Sequence, residues 1–287
     1  MRIAYSTNAY TRYELATACD RIAALGFDGL EILCDRPHWF PGETTMAEAD
    51  QLRARLLELG LSVSNLNANT ANGFFDPPPP ETVFEPSLSS ADPERRRWRL
   101  NYSIEALRLA ARVGARNISI TSGRPESGGT PRQGIELFVD SLKRLCDAAE
   151  PMGVRVGVEY EPGLLVECAS ELAEVIDRVG SALLGANLDI GHSWLAREEP
   201  ATVAALLNRR VWNVHIEDIA AYKHFHLVPG EGDLPIELWL DALSEAGFGG
   251  LHTVELYTYA EAPDEAGRSA IAYLRRIAAQ RAKAAGR

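Results

Sequence analysis

Cysteine is scarce: Cys19, Cys34, Cys146 and Cys168 are four in 287 residues. None forms a CxxC pair, so neither a disulfide framework nor a thiolate zinc knuckle is indicated. No apolar run approaches the roughly 18 residues that a membrane-spanning helix needs. Met1-Arg2-Ile3 leads straight into a strand-like segment, without the pattern of a secretory leader. A reduced, cytoplasmic protein with no membrane partner is the expectation. Positive charge is also in short supply, with 29 Lys plus Arg against 40 Asp plus Glu and a formal charge of −11. A nucleic acid would meet net repulsion unless basic residues were gathered locally. The one run of arginines, Arg95 to Arg97 with Arg99, reads as the solvated start of a helix. Nucleic acid is therefore not an expected partner.

What is present is ordinary for a globular chain, 46% apolar and 24% charged, at a length that suits one closed α/β barrel. A helix-like segment, a glycine-containing turn and a short β-rich run recur along it. Leu57-Glu58-Leu59-Gly60 leads into Leu61 to Ser64, Val113-Gly114 precedes Asn117 to Ile120, and Met152-Gly153 precedes Val154 to Val158. Glycine at such joints fits a helix end, where the left-handed conformation is cheap without a Cβ. Strand starts fall near residues 2, 29, 61, 117, 154, 183, 211 and 251. Eight strands separated by crossover helices predict a parallel sheet closed into a single (β/α)8 TIM barrel over residues 1–287. One interval is long. Residues 71–92 hold Pro77 to Pro80, which excludes a helix or central strand and predicts a βα loop on the active face, acting as a lid or a wall to the substrate. After it, Asp92-Pro93-Glu94 reads as a helix start with a carboxylate N-cap.

Four strands of the second half end on an ionisable residue: Val158-Glu159, Leu188-Asp189, Val214-His215 and Val254-Glu255. Their side chains emerge at the C-terminal rim, beside residues that want burial. Carboxylates there are costly unless paired, hydrogen-bonded or bound to a cation. Three acids and an imidazole at one mouth predict a site for one divalent metal ion, with Mn, Mg, Co or Zn all compatible with the donor types. His192, three residues after Asp189, is a candidate for metal, for substrate or for orienting Asp189. His224 and His226 precede a Gly-Glu-Gly turn, both able to face the site. Glu161, Glu167, Glu217 and Asp218 are weaker candidates, since acids are common on exposed loops.

The series Val158-Glu159, Leu188-Asp189-Ile190-Gly191-His192, Val214-His215-Ile216-Glu217-Asp218, Pro229-Gly230-Glu231-Gly232-Asp233 and Val254-Glu255 resembles the xylose-isomerase-like TIM-barrel superfamily. That group includes sugar isomerases and epimerases, dehydratases and metal-dependent apurinic-site endonucleases. The resemblance implies that Glu159, Asp189, His215 and Glu255 ligate the metal and that His192 meets substrate or metal. It matches His226 to a histidine that the endonuclease branch uses for an additional metal. Two departures stand out. Ala221 occupies the place where ketose 3-epimerases of the group carry a substrate-binding arginine, and Asn65-Leu66-Asn67-Ala68-Asn69 offers amides where the endonucleases complete a trinuclear zinc site.

The reading that follows is a metal-dependent isomerase or epimerase acting on a small sugar, polyol or cyclitol by proton abstraction next to a carbonyl. Glu159 and Glu255 are the candidate catalytic bases, and His192, His226, Asn67 and Asn69 are expected to contact substrate. A dehydratase of the same group is the alternative, with a nuclease or a non-catalytic barrel behind it. The substrate, the metal and any homo-oligomer are left open by the sequence.

Overall fold

The computed structural model describes residues 1–81 and 83–285; Thr82, inside the long loop, and residues 286–287 lie outside them. Eight parallel strands close in sequential order: β1 (Arg2–Ser6), β2 (Gly29–Leu33), β3 (Ser62–Asn67), β4 (Asn117–Thr121), β5 (Arg155–Glu159), β6 (Leu184–Asp189), β7 (Val211–Ile216) and β8 (Leu251–Val254). Closure is made by β8 pairing with β1, from Arg2 opposite Leu251 to Tyr5 opposite Val254. Nine α-helices lie among the described residues: α1 (Leu15–Ala24), α2 (Met46–Leu59), α3 (Pro93–Val113), α4 (Pro131–Ala149), α5 (Ala169–Val179), α6 (Ile190–Leu195), α7 (Pro200–Leu207), α8 (Ile236–Glu245) and α9 (Pro263–Ala285). The expected (β/α)8 barrel is the fold. No helix among the described residues is long and apolar enough to cross a membrane.

Local chemistry explains the helix ends. Gly60, Gly114 and Gly180 close α2, α3 and α5 in the left-handed conformation, at φ of 70°, 87° and 73°, which a side chain would strain. Thr45 with Glu48, and Thr130 with Gln133, form reciprocal caps at the starts of α2 and α4, satisfying donors that have no partner within the helix. Asp92 caps α3 as expected, accepting from the Glu94 and Arg95 amides. In α5, Leu172, Val175 and Ile176 sit three and four residues apart and are buried together, the stripe that seats a helix on the barrel.

The first helix starts at Leu15, after a separate 3-10 turn over Thr7–Tyr10. His192 is on a short helix: Asp189 caps α6 by accepting the His192 amide at 2.8 Å. The structure changes one local expectation: Arg99 is not part of a solvated face. It is buried, donating to the carbonyls of Ala68 at 2.5 Å, Asn69 at 2.9 Å and Pro86 at 3.4 Å. One guanidinium thereby ties the end of the third strand to the far side of the long loop. The Asp35 carboxylate holds the loop's near side, accepting from Thr70 Oγ1 at 2.8 Å and from the amides of Asn72 and Gly73 at 2.6 and 3.0 Å. Phe74 packs on Trp98 with ring centres 4.6 Å apart, so the loop is docked against α3 at both ends.

Candidate metal centre

The barrel brings the four strand-end residues together. Register sets Asp189 opposite His215, and Glu159 and Glu255 flank them from β5 and the end of β8. Ligand atoms of all four lie within 4.8 Å of one another, and all four residues are buried. His215 is at the centre, with Nδ1 3.4 Å from Glu159 Oε2, 3.4 Å from Glu255 Oε2 and 3.8 Å from Asp189 Oδ2.

Glu31 on β2, which the sequence reading passed over, faces the other side of that ring. Its Oε2 lies 2.8 Å from His215 Nε2. With that carboxylate accepting, Nε2 carries a hydrogen and Nδ1 is free to present a lone pair to the cluster, an arrangement common around metal-ligating histidines. Burial by itself would raise the Glu31 carboxyl, but the charge and hydrogen bond of His215 prevail and hold it below its usual range. Glu31 also accepts from Ser6 Oγ and Asn65 Nδ2, each at 2.8 Å, and from Asn67 and Asn213, each at 3.2 Å. The signal for Glu31 was present as an acid inside the apolar run Gly29-Leu30-Glu31-Ile32-Leu33, but it sits in mid-strand and not at the rim.

The donor set fits a divalent cation. Burial pushes the Glu255 carboxyl well up, and although His215 opposes this, Glu159, Glu31 and Asp189 add to it. Burial works against a charged His215, yet Glu255, Glu31 and Glu159 together raise it well above the ordinary imidazole range. Asp189 Oδ2 is buried and has no hydrogen-bond partner, a costly state that coordination would relieve. Three carboxylates and one imidazole form an O3N set suited to several first-row divalent ions and to Mg²⁺.

Asn67 and Asn69, expected to read substrate hydroxyls, direct their amide nitrogens at carboxylates. Asn69 Nδ2 donates to Glu159 Oε2 at 2.7 Å, while Asn67 Nδ2 reaches Glu255 Oε1 at 3.1 Å. Asn8, another residue missed in the sequence, donates to Glu255 Oε1 at 2.9 Å, and Asn187 donates to Glu159 Oε2. Arg99 and Thr121 Oγ1 both hold the Asn69 carbonyl, so the third-strand rim is fixed before it meets Glu159. Asn69 Oδ1 remains without a partner.

His192 and His226 complete the mouth. His192 Nδ1 is 3.0 Å from the Tyr160 carbonyl and 3.7 Å from Glu159 Oε1, and its Nε2 is 3.1 Å from Nε2 of the exposed His224. His226 Nδ1 is 3.0 Å from the Glu255 carbonyl, which leaves Nε2 buried and unpartnered. Burial is the main cause holding both imidazoles down at about 3, so both are neutral at physiological pH. Of the weaker candidates, Glu217 is fully buried with neither oxygen hydrogen-bonded. It lies within the same span of Asp189 and His226, and burial followed by Asp189 pushes its carboxyl well up. Glu161 is raised in the same way, by burial and then Glu159. Asp218 organises the following loop, accepting from the amides of Gly230 and Leu234 at 2.8 and 3.0 Å. Glu167 caps a turn by accepting from the Gly163 amide at 2.6 Å.

A sequentially wound eight-stranded barrel with ionisable side chains at the C-terminal strand ends defines the class, and comparison with known proteins gives it a family. The chain belongs to the xylose isomerase-like TIM barrel family, whose model matches residues 19–277. Fructoselysine 3-epimerase of Shigella flexneri is 23% identical over 262 residues, covering 90% of this chain and 91% of that protein. Inosose isomerase of Bacillus subtilis is 28% identical over 127 residues, 42% of this chain and 46% of that one. Among solved structures, a D-tagatose 3-epimerase-like protein matches with a TM-score of 0.78 at 21% identity over 98% of this chain and 99% of that one. The IOLI protein with a zinc atom bound gives a TM-score of 0.78 at 17% identity, again over 98% and 99%. At these identities the structural matches carry the fold alone.

Proposed function

We propose that the protein is a divalent-metal-dependent isomerase or epimerase that moves a proton on a carbon next to a carbonyl in a small sugar, polyol or cyclitol. The observation that carries this reading is the convergence of Glu159, Asp189, His215 and Glu255 within 4.8 Å, all buried. The names of the full-length epimerase relative and of the inosose isomerase agree with it, as does the zinc in one structural neighbour. These four residues would hold the cation, which when bound supplies Lewis-acid polarisation of the substrate carbonyl and so acidifies the neighbouring C–H.

The remaining work falls to the chain's own side chains. Glu159 and Glu255 flank His215 at equal distances of 3.4 Å, so one carboxylate takes the proton and either the same or the opposite one returns it. Return to the neighbouring carbon, with the hydroxyl proton passing between the two oxygens, gives an isomer, and return to the same carbon from the opposite face inverts it. Asn8 and Asn67 on Glu255, and Asn69 and Asn187 on Glu159, hold these carboxylates in place between turnovers. Neutral His192 and His226 serve as hydrogen-bonding partners for substrate hydroxyls, since a charged imidazole there would compete with the cation. Nucleic acid has no part in this reading, in keeping with the charge of −11.

The test is a screen of ketoses and inososes against protein stripped with chelator and then reloaded with Mn²⁺, Mg²⁺, Co²⁺ or Zn²⁺. Product formation by NMR that vanishes on stripping and returns on reloading supports the reading. Turnover unaffected by stripping contradicts it.

A further inference from the structure

At the mouth opposite the candidate metal centre, the N-terminal strand ends and the αβ loops enclose a cavity of about 860 Å³. Five arginines line it, Arg2, Arg53, Arg116, Arg155 and Arg209, and no Asp or Glu does. They arrive from β1, α2, the α3–β4 turn, β5 and the α7–β7 turn, so only barrel closure assembles them. In a chain of net charge −11, many arginines elsewhere have acidic partners, such as Arg55 with Asp20 and Arg112 with Asp50. None of these five forms an ion pair among the described residues. Arg2 donates to Ser62 Oγ at 2.7 Å, and Arg155 lies over the Trp212 ring at 4.6 Å.

Clustered cations without counter-charges repel one another, an arrangement that a bound anion would relieve. Burial and then the charge of Arg116 hold the Arg155 guanidinium below its ordinary range. The backbone is constrained at the same place: Asn208 and Arg209 follow each other in the left-handed region at φ of 41° and 63°, a conformation that costs energy for residues with a Cβ. Five guanidinium groups in one recess, with no acid in its lining, are what a binding site retains when its ligand supplies the missing charge.

We infer that this basin binds a small organic anion carrying at least two phosphate groups. Guanidinium forks match phosphate oxygens in pairs, and five of them around one recess exceed what a single charge can engage. The volume suits a metabolite-sized molecule.

The probe is fructose 1,6-bisphosphate, titrated calorimetrically into the metal-loaded full chain, with fructose as the uncharged control for the opposite mouth. Saturable binding tighter than about 1 mM at physiological salt is expected, weakened at least ~10-fold in Arg53→Ala/Arg209→Ala, whose side chains are exposed, and in Arg116→Ala/Arg155→Gln. Fructose should not compete, and Glu255→Gln, at the other mouth, should bind the bisphosphate like wild type. No saturable binding by wild type, or unchanged binding by the exposed double variant, overturns the assignment. Displacement of the bisphosphate by fructose, or tighter capture of duplex DNA by the same arginines, overturns it as well.

Discussion

Replacing Glu31 by glutamine tests how the metal centre is oriented. The carboxylate accepts from five donors, with Ser6 and Asn67 on Oε1 and Asn65, Asn213 and His215 on Oε2. Glutamine keeps the shape but converts one of those oxygens into an NH2 group, which must then face donors. If the amide nitrogen faces His215, Nε2 has to become the acceptor and the ring proton moves to Nδ1, the atom that lies 3.4 Å from both Glu159 and Glu255. Coordination through Nδ1 is then blocked. If it faces Ser6 and Asn67 instead, His215 keeps its tautomer but loses the full negative charge that raises its basicity. Partners of this kind are worth roughly 10–100-fold in metal affinity, or about 1.4–2.8 kcal/mol. Unsatisfied buried donors cost the ion-free fold about 1–3 kcal/mol in addition. The assay is competitive titration of Mn²⁺ and Zn²⁺ against a chromogenic chelator, with folding checked by circular dichroism. A folded Glu31→Gln protein that binds both ions within twofold of wild type would refute the argument.

Two further outcomes follow from other parts of the molecule. A Cβ at Gly191 would fall 2.1 Å from Glu217 Oε1 and 2.9 Å from Ile219 Cγ1, so Gly191→Ala should destabilise the chain by about 1–3 kcal/mol in urea unfolding; an unchanged midpoint would show that Glu217 can move away. His252, near the opposite mouth, is held down at about 4, chiefly by burial, while the unfolded chain binds that proton near pH 6.5. Between those values the unfolded state holds more protons, so stability falls as pH drops, by about 3 kcal/mol in full. His252→Phe should flatten that part of the stability profile relative to wild type, and a parallel decline in both proteins would count against it.

The strand-end set was legible because each member terminates an apolar run, where an ionisable side chain costs most and has to be explained. Glu31 follows the same logic, but periodicity within a strand does not say whether an acid faces a barrel interior or a helix. Only closure shows that it reaches His215 from β2. The asparagines had the opposite difficulty. An amide at a rim is compatible with substrate or with carboxylate, and the carboxylates these two meet stand 90 and 188 residues away, Glu159 for Asn69 and Glu255 for Asn67. Arg99 was hidden by its company, since a run of arginines at a helix start reads as surface and one turn of helix suffices to aim the last of them inward. The five arginines at the far mouth lie far apart in sequence, and no local pattern joins residues 2, 53, 116, 155 and 209.

The central claim is proton transfer by a carboxylate at the metal centre. Its most direct measurement is solvent exchange: wild-type protein with its metal, in D2O, with a substrate identified by the screen. Deuterium should enter one carbon beside the carbonyl, and Glu255→Gln, confirmed to retain metal, should slow that entry at least ~100-fold. Product formed with full retention of the substrate's C–H label and no solvent deuterium would contradict the claim and point to hydride transfer between adjacent carbons.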